Sequence, residues 1–118
     1  MASLSVEAGE LVLSLSPVER VEGLHGSIRV PASAVRAIRS VVDPWSELRG
    51  VRAPGTGVPG VLSVGTRRGG GVKDFVVVHG HSPAVLVEME GAEFDRFVIT
   101  AEDASAVASE LCREIGLN

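Results

Sequence analysis

The sequence predicts a mainly β protein with some α structure, an antiparallel barrel or sandwich of about seven strands capped by one C-terminal helix. Short apolar segments recur at regular intervals over residues 61–99 and are separated by glycine-containing turns, a pattern typical of such sheets. An apolar stripe at helical spacing follows in residues 100–116. The chain has 118 residues and contains no internal repeat or long linker, so residues 1–118 are interpreted as a single domain.

The first half of the chain contributes the earlier strands and one short helix. Leucine at every second position of residues 11–15 predicts a half-buried strand. Residues Ser16–Glu19 form a capping box with proline at the first helical position, which predicts a short helix from about Pro17 to Leu24. The β-branched residues of 34–42 favour a strand over a helix, whereas three glycines and two prolines in residues 53–60 predict an irregular segment.

The second half predicts a meander of strands that ends in the helix. Thr100 stands three residues before an acid and is the expected N-cap of this helix. Gly116 stands where a left-handed C-cap is expected. The apolar stripe between these two residues consists of Ala104, Val107, Ala108, Leu111 and Ile115. The strands before the helix are expected at residues 61–66, 74–79, 84–89 and 94–99, with a turn at residues 67–71.

Charge is unevenly distributed along the chain, although the net charge is only −4. Residues 1–19 sum to −3, residues 20–73 to +6 and residues 74–118 to −7. Such a distribution indicates an anion-binding face or head-to-tail self-association, unless folding mixes the segments into an ordinary surface. The ordinary surface is favoured, and both kinds of binding remain as alternatives.

The cellular compartment is inferred from the cysteine content and the apolar runs. Cys112 is the only cysteine, so no intrachain disulfide can form and a reducing compartment is indicated. The first residues lack the pattern of a secretory signal peptide, and no apolar stretch is long enough for a transmembrane segment. We therefore expect a cytoplasmic protein.

Catalytic and metal-binding chemistry finds little support in the sequence. His79 and His81 would share a metal only on one strand face, but they straddle a predicted strand end, so exposed turn histidines are favoured. Cys112 lies beside the apolar stripe and is interpreted as a packing residue, and no serine or cysteine stands in a nucleophile-elbow motif. We predict no enzyme, no catalytic residue, no metal site and no cofactor.

Contacts with a partner or ligand are expected from the basic, glycine-rich middle of the chain. The Gly55–Gly60 loop lacks the lysine of a phosphate cradle and leads toward a strand, so turn geometry is favoured over anion binding. Trp45 is either a buried plug under this loop or an exposed contact residue, and the plug is favoured. No aromatic residues interleave with the basic ones, so nucleic acid is not an expected partner. The candidate contact residues are Trp45, Arg49, Arg52, Thr56, Arg67, Arg68 and Lys73.

A resemblance to a known family is carried by three stretches: Ser27–Pro31 leading into Ala34–Ile38, Arg52–Gly60 with Gly65 and Thr66, and Val85–Glu88 through Phe94–Ile99 to Asp103. Over about residues 10–116 the chain resembles the bacterial pleckstrin-homology-like domains, especially the small actinobacterial ones. The resemblance implies a β-meander closed by one capping helix and brings no catalytic chemistry. Lipid-binding eukaryotic relatives hold a phosphoinositide in a basic loop between the first two strands. The corresponding region here is acidic, which disfavours phosphoinositide binding.

These features predict a non-catalytic module that binds protein or peptide. Exposed sheet edges commonly accept added strands, so the expected partner is another copy of the chain, in a homo-oligomer, or another protein. The alternative is a small-molecule or anion-binding module that uses the Arg49–Gly60 region. A metal-dependent or hydrolytic enzyme is the third class. If complementary charges hold copies together, association should weaken as salt rises.

Overall fold

The strands of this chain lie in two sheets, and the C-terminal helix packs against both. A computed structural model describes residues 2–23 and 26–117, with the backbone alone at 52–54. Within these residues the chain forms nine strands and two α-helices, in one three-stranded and one six-stranded sheet. The mainly β prediction with a C-terminal helix is confirmed, but the sheets are not closed into a barrel. No helix in the described part of the chain is both long and apolar enough to cross a membrane.

The three-stranded sheet consists of β1 (Ser3–Glu7), β2 (Glu10–Ser14) and β3 (Ile28–Pro31), with β2 in the centre. A two-residue turn at Ala8 and Gly9 joins β1 to β2. Its φ angles of 50° and 77° are those of a type I′ turn, which matches the twist of the flanking strands. The alternate leucines of β2 are fully buried, as their spacing predicts.

Helix α1 (Pro17–Gly23) connects the second and third strands and begins at the predicted capping box. The Ser16 N–H donates to Glu19 Oε1 at 2.9 Å, and the Glu19 N–H donates to Ser16 Oγ at 3.2 Å. Both bonds satisfy backbone donors that the first turn of a helix leaves open. The predicted end of the helix at Leu24 lies outside the described residues.

The six-stranded sheet has the order β4-β8-β9-β7-β6-β5. Its neighbours are antiparallel except β7 and β9, which are parallel, so the prediction of a fully antiparallel meander is wrong at this pair. Because four of the five residues of β9 are buried, this strand takes a central position between β8 and β7 instead of the edge. The strands are β4 (Val35–Val41), β5 (Val51–Val58), β6 (Leu62–Gly69), β7 (Val72–His79), β8 (Ala84–Met89) and β9 (Arg96–Thr100).

Strand β5 covers most of the segment predicted to be irregular, residues 53–60, so that prediction is wrong. Pro54 fits because β5 is an edge strand, where a missing N–H costs no ladder bond on the open side. The register with β6 shifts between Arg52 and Gly55. A Cβ on Gly55 would lie 2.3 Å from the carbonyl oxygen of Val64, so this glycine is required by the close approach of β6.

Two apolar clusters form the core, one on each face of the six-stranded sheet. The larger cluster lies between this sheet, the three-stranded sheet and α2. Phe75, Phe94 and Phe97 meet there, with ring centroids 5.6 and 6.0 Å apart. The smaller cluster lies on the opposite face and consists of Val41, Val76, Val78, Ala84, Leu86 and Val98.

Helix α2 (Ala104–Ile115) packs the predicted stripe against the larger cluster, with Ala104, Ala108 and Leu111 buried. Gly116 ends the helix in the predicted left-handed conformation, with φ 89°. The predicted N-cap is wrong. The cap is Asp103, whose carboxylate accepts from the Ala106 N–H at 3.4 Å. Thr100 ends β9 instead, and its Oγ1 accepts from the N–H of His79 at 2.9 Å. Strand pairing therefore includes Thr100, which the capping pattern assigns to the helix N-cap.

We expect Leu111→Ala to lower the free energy of unfolding by about 2–5 kcal/mol, because the side chain is only 2% exposed and its loss leaves a cavity between α2 and the sheets. Denaturant unfolding followed by circular dichroism measures the change. Val42→Ala is the control, since Val42 is 84% exposed and its truncation should have almost no effect. Equal midpoints for Leu111→Ala and the parent chain would contradict the packing of α2.

Candidate functional site

The connection between β4 and β5, residues 42–50, runs over the second face of the six-stranded sheet, and we call it the strap. Its one turn of 3₁₀-helix, Pro44–Glu47, begins at Asp43, whose carboxylate accepts from the Trp45 N–H at 3.1 Å. The indole Nε1 of Trp45 donates to the carbonyl of Gly80 at 2.7 Å. The half-buried indole packs against the smaller apolar cluster, so Trp45 covers the sheet beneath the strap.

Two arginines fasten the far end of the strap. Arg49 binds Asp74 through two hydrogen bonds, Nε to Oδ2 at 2.8 Å and Nη2 to Oδ1 at 2.7 Å. Asp74 is only 1% exposed, and its hydrogen bonds raise the pKa of Arg49 above the ordinary value. Arg67 donates from Nε to the carbonyl of Arg49 at 3.1 Å and from Nη2 to that of Gly50 at 2.9 Å. Arg52 pairs with Arg67 through the backbone, and its side chain lies outside the described atoms.

The hairpin after β6 is tighter than predicted. Arg67 and Arg68 belong to β6, which continues to Gly69, so the prediction of a turn at 67–71 is wrong at both arginines. Only Gly70 and Gly71 form the turn, with φ angles of 59° and 82°. Arg68 is exposed near the end of the strand, where its backbone lies against Gly50 at the end of the strap.

The remaining predicted contact residues lie apart from the strap. Thr56 Oγ1 donates to the carbonyl of Glu22 in α1 at 2.9 Å. Lys73 Nζ lies 4.7 Å from the centroid of the Phe94 ring, a cation–π distance. The structure therefore brings the tryptophan and two of the arginines together at the strap, and places the threonine and the lysine elsewhere.

The two histidines of the predicted pair point to different neighbours. His79 Nε2 lies 3.0 Å from Glu19 Oε2, and the same oxygen accepts from the N–H of Ala2 at 3.1 Å. His81 lies beside the Trp45 ring, with centroids 6.1 Å apart. Within the described part of the chain, no three His, Cys, Asp or Glu side chains lie close enough together to hold a metal ion.

A groove of about 600 Å³ runs between β4 and α2, and we call it the β4 groove. One wall is the edge of the sheet at Ile38, Arg39 and Ser40. The other wall is a flank of α2 with small side chains, which leave space beside the strand: Ser105, Ala108, Ser109, Cys112 and Gly116.

The backbone of β4 offers hydrogen-bonding groups to this groove. Residues of an antiparallel edge strand point their N–H and C=O groups alternately toward and away from the neighbouring strand. The Ile38 carbonyl accepts from Cys112 Sγ in α2 at 3.4 Å, so Ile38 and Ser40 direct these groups away from β8. No strand lies on that side of β4 within the described residues. The groove therefore contains the open half of a β ladder.

A second groove, of about 420 Å³, runs along the other flank of α2 beside β1, and we call it the β1 groove. Because the turn before β2 has two residues, Glu7 forms a hydrogen-bonded pair with Glu10, and alternation directs the backbone groups of Leu4 and Val6 outward. The two grooves differ in charge, since the β1 groove is lined by Glu110 and Glu114. The β4 groove is lined by Arg39 and Arg113.

The sequence prediction missed both grooves. Small side chains recur on α2 at Ser105, Ser109, Cys112 and Gly116, which is a second helical stripe beside the apolar one. That periodicity is visible in the sequence and indicates a helix flank with space beside it. Its neighbour β4 was not predictable, because the contact joins segments about 70 residues apart.

The comparisons with known proteins supply no template for these grooves. No protein-family model, curated protein or solved structure matches this chain. A role for the grooves is therefore inferred from their geometry and chemistry.

Glu19 connects α1, the N-terminal strand and β7 through a buried carboxylate, 3% exposed. Burial raises the pKa of this carboxyl group. Hydrogen bonds from the Ser16 backbone and side chain, from His79 and from Ala2 outweigh burial and hold the pKa below its ordinary value of 4.5. The ionised form therefore stabilises the folded state, fully above the ordinary pKa and less as the pH falls through the folded-state pKa.

We expect Glu19→Gln to lower the free energy of unfolding by about 1–3 kcal/mol at pH 7, because charged hydrogen bonds are lost. The difference from the parent chain should shrink as the pH falls below the ordinary carboxyl pKa. Urea unfolding at several pH values measures it. Glu102→Gln, at an exposed position, should show no comparable pH-dependent difference. A Glu19→Gln deficit that is constant down to pH 3 would contradict the role of the ionised carboxylate.

Proposed function

We propose that this chain is a non-catalytic interaction module that self-associates by strand addition, with the β1 edge of one copy lying in the β4 groove of the next. The observation that carries the proposal is the backbone of Ile38 and Ser40, which points away from β8 beside the small-residue flank of α2 and meets only the weak thiol donor of Cys112 at the Ile38 carbonyl. An extended segment added to a sheet edge gains main-chain hydrogen bonds, and pockets beside the edge receive its alternate side chains. A groove between an edge strand and a helix supplies both.

Strand β1 has the complementary form. It is the edge of the three-stranded sheet, and Leu4 and Val6 direct their backbone groups outward with the same two-residue spacing as Ile38 and Ser40. Two edges with equal spacing can pair as a short antiparallel ladder. A copy that supplies its β1 edge also brings the acidic flank of its own α2, which lies next to that strand.

Charge favours this pairing over pairing of like edges. A β1 edge arrives with Glu114 beside it, and the β4 groove carries Arg39, whereas Glu110 and Arg113 pair with each other on α2. Two β4 edges would place arginines opposite arginines. Arg39 is half-exposed and now pairs with Glu47 at 3.5 Å and Glu88 at 4.0 Å. Exposed ion pairs contribute little stability, and Glu47 keeps Arg96 as a second partner at 3.8 Å, so exchanging the partners of Arg39 costs little.

A contact between two different edges is heterologous, so after it forms one copy keeps a free β4 groove and the other keeps a free β1 edge. Such contacts build rings when the rotation closes and chains when it does not. The uneven charge of the sequence fits this arrangement, since the acidic C-terminal segment supplies the glutamates and the basic middle segment supplies Arg39.

We infer a relation to the pleckstrin-homology superfold as part of the same proposal. A C-terminal helix packed against two sheets supports the relation. The parallel β7–β9 pair and the open edges differ from the closed antiparallel barrel that the resemblance implies. The self-association proposal depends on the edges and stands without the relation.

Complementation between two blocked variants tests the head-to-tail contact. Ser40→Pro removes an outward N–H from the β4 groove, and Val6→Pro removes one from the β1 edge. Proline is tolerated at such edge positions. Each variant alone should be monomeric by analytical ultracentrifugation, and an equimolar mixture should give a 1:1 dimer, because each variant keeps the edge that the other lacks.

The matched controls are Ser40→Ala and Val6→Ala, which keep the N–H and should associate like the parent chain. Association of the parent should weaken from low to high salt, since exposed charges are screened over about 8–10 Å. A parent chain that stays monomeric at high micromolar concentration in both buffers would overturn the proposal. Loss of association in Ser40→Pro without rescue in the mixture would show that like edges pair, which also contradicts the head-to-tail contact.

A further inference from the structure

A pocket of about 320 Å³ lies between the strap and the β5–β6 hairpin, on the face of the sheet opposite the three-stranded sheet, and we call it the strap pocket. Its walls are apolar and its floor is polar. The walls are formed mainly by Trp45, Leu48, Val58 and Pro59, and the floor by Ser63 and Arg67. It shares no lining residue with either groove beside α2.

The polar floor is built and fixed in place. Ser63 is 2% exposed, and its Oγ lies 3.5 Å from Nη1 of Arg67. The other side of the same guanidinium donates to the carbonyls of Arg49 and Gly50, which fixes its plane. A cationic group held in one orientation at the floor of an apolar pocket binds an anion without losing side-chain entropy on binding.

The aromatic wall is fixed as well. The indole of Trp45 is fixed by its hydrogen bond to Gly80, and His81 lies against it at an interplanar angle of 41°. The β5–β6 hairpin lies close to His81 at Gly60, since a Cβ on this glycine would lie 3.6 Å from His81 Nε2. The indole therefore presents a rigid apolar surface to the pocket, which Pro59 of the hairpin also lines.

We propose that the strap pocket binds a small planar aromatic anion. The ring lies between Trp45 and Pro59, and its carboxylate or similar group is directed to Ser63 and Arg67. Ring stacking on an indole and charge-assisted hydrogen bonds to a guanidinium are the two interactions that the walls and floor offer. The volume is near the lower end for ligand sites, which suits one or two fused rings.

A single signal reports on this pocket directly. Trp45 is the only tryptophan of the chain, so a ¹⁵N-labelled sample gives one indole N–H resonance. The probe is indole-3-carboxylate, and the matched probe is indole-3-carboxamide, which has the same shape without the charge. We expect the carboxylate to shift the Trp45 indole resonance and the Ser63 amide resonance saturably. The carboxamide should bind about tenfold or more weakly, because it lacks the charged hydrogen bonds.

Pocket-filling variants locate the site. Gly57 lines the pocket from β5, so Gly57→Val should abolish the shifts while thermal unfolding shows that the fold is retained. Thr56→Val is the control, because Thr56 bonds α1 and does not line the pocket. Val58→Phe, at a half-exposed position of the rim, gives a second blocking variant if the first does not fold.

The proposal is overturned by the absence of a saturable shift of the indole resonance with either probe, by equal binding of the two probes, or by unchanged binding in a folded blocking variant. The outcome is independent of the self-association experiment. The titration repeated in the Ser40→Pro variant should give the same affinity, since that substitution lies in the other groove. A loss of binding there would place the ligand at the β4 groove and contradict the strap-pocket site.

Discussion

Coverage of a sheet that is apolar on both faces is the constraint on which the rest of this structure depends. Strands β7, β8 and β9 are buried along most of their length, on both sides. Strands of this kind need cover on both faces. The three-stranded sheet and α2 cover one face, and the strap is what covers the other. With few apolar side chains of its own, the strap is held by polar contacts, above all the paired carboxylate of Asp74 and guanidinium of Arg49.

Such an anchor has consequences for the binding surfaces. The Arg49–Asp74 pair holds the strap at one end of the sheet and Trp45 holds it near Gly80, so cover is incomplete where the strap approaches the β5–β6 hairpin. A pocket remains at that place. Helix α2 leaves two further gaps because it lies between the edge of one sheet and the edge of the other. All three gaps have the same cause. The strap and α2 are each narrower than the sheet face that they cover, so space remains beside them.

Sequence reasoning predicted the local features of the fold well and the long-range ones poorly. The capping box at Ser16, the C-cap at Gly116 and the strand Ala84–Met89 depend on neighbouring residues, and the structure has them where predicted. Pro54 misled the prediction, because its effect depends on whether its strand is central or at the edge. Thr100 misled the prediction because this residue belongs to β9 and does not cap the helix. Strand order is not encoded in spacing, so the parallel β7–β9 pair could not be predicted.

The candidate site shows the same division. Trp45 and Arg67 were predicted as contact residues from their residue types and do line one pocket, but Arg49 is engaged by a buried carboxylate from a strand 25 residues away. A sequence does not show which charge an arginine meets after folding. The β4 groove was missed for a related reason, since it requires knowledge that α2 lies along β4, an edge strand of the large sheet.

The position of β9 also determines the order in which this domain can fold. Strands β7 and β8 are consecutive in the chain but do not pair, and they are joined only through β9, which enters between them. Without residues 96–100 the large sheet would consist of two separate parts, β5-β6-β7 and β4-β8. During synthesis from the N-terminus, neither part can complete the core until β9 has emerged. The last strand therefore converts two incomplete sheets into one cooperative unit.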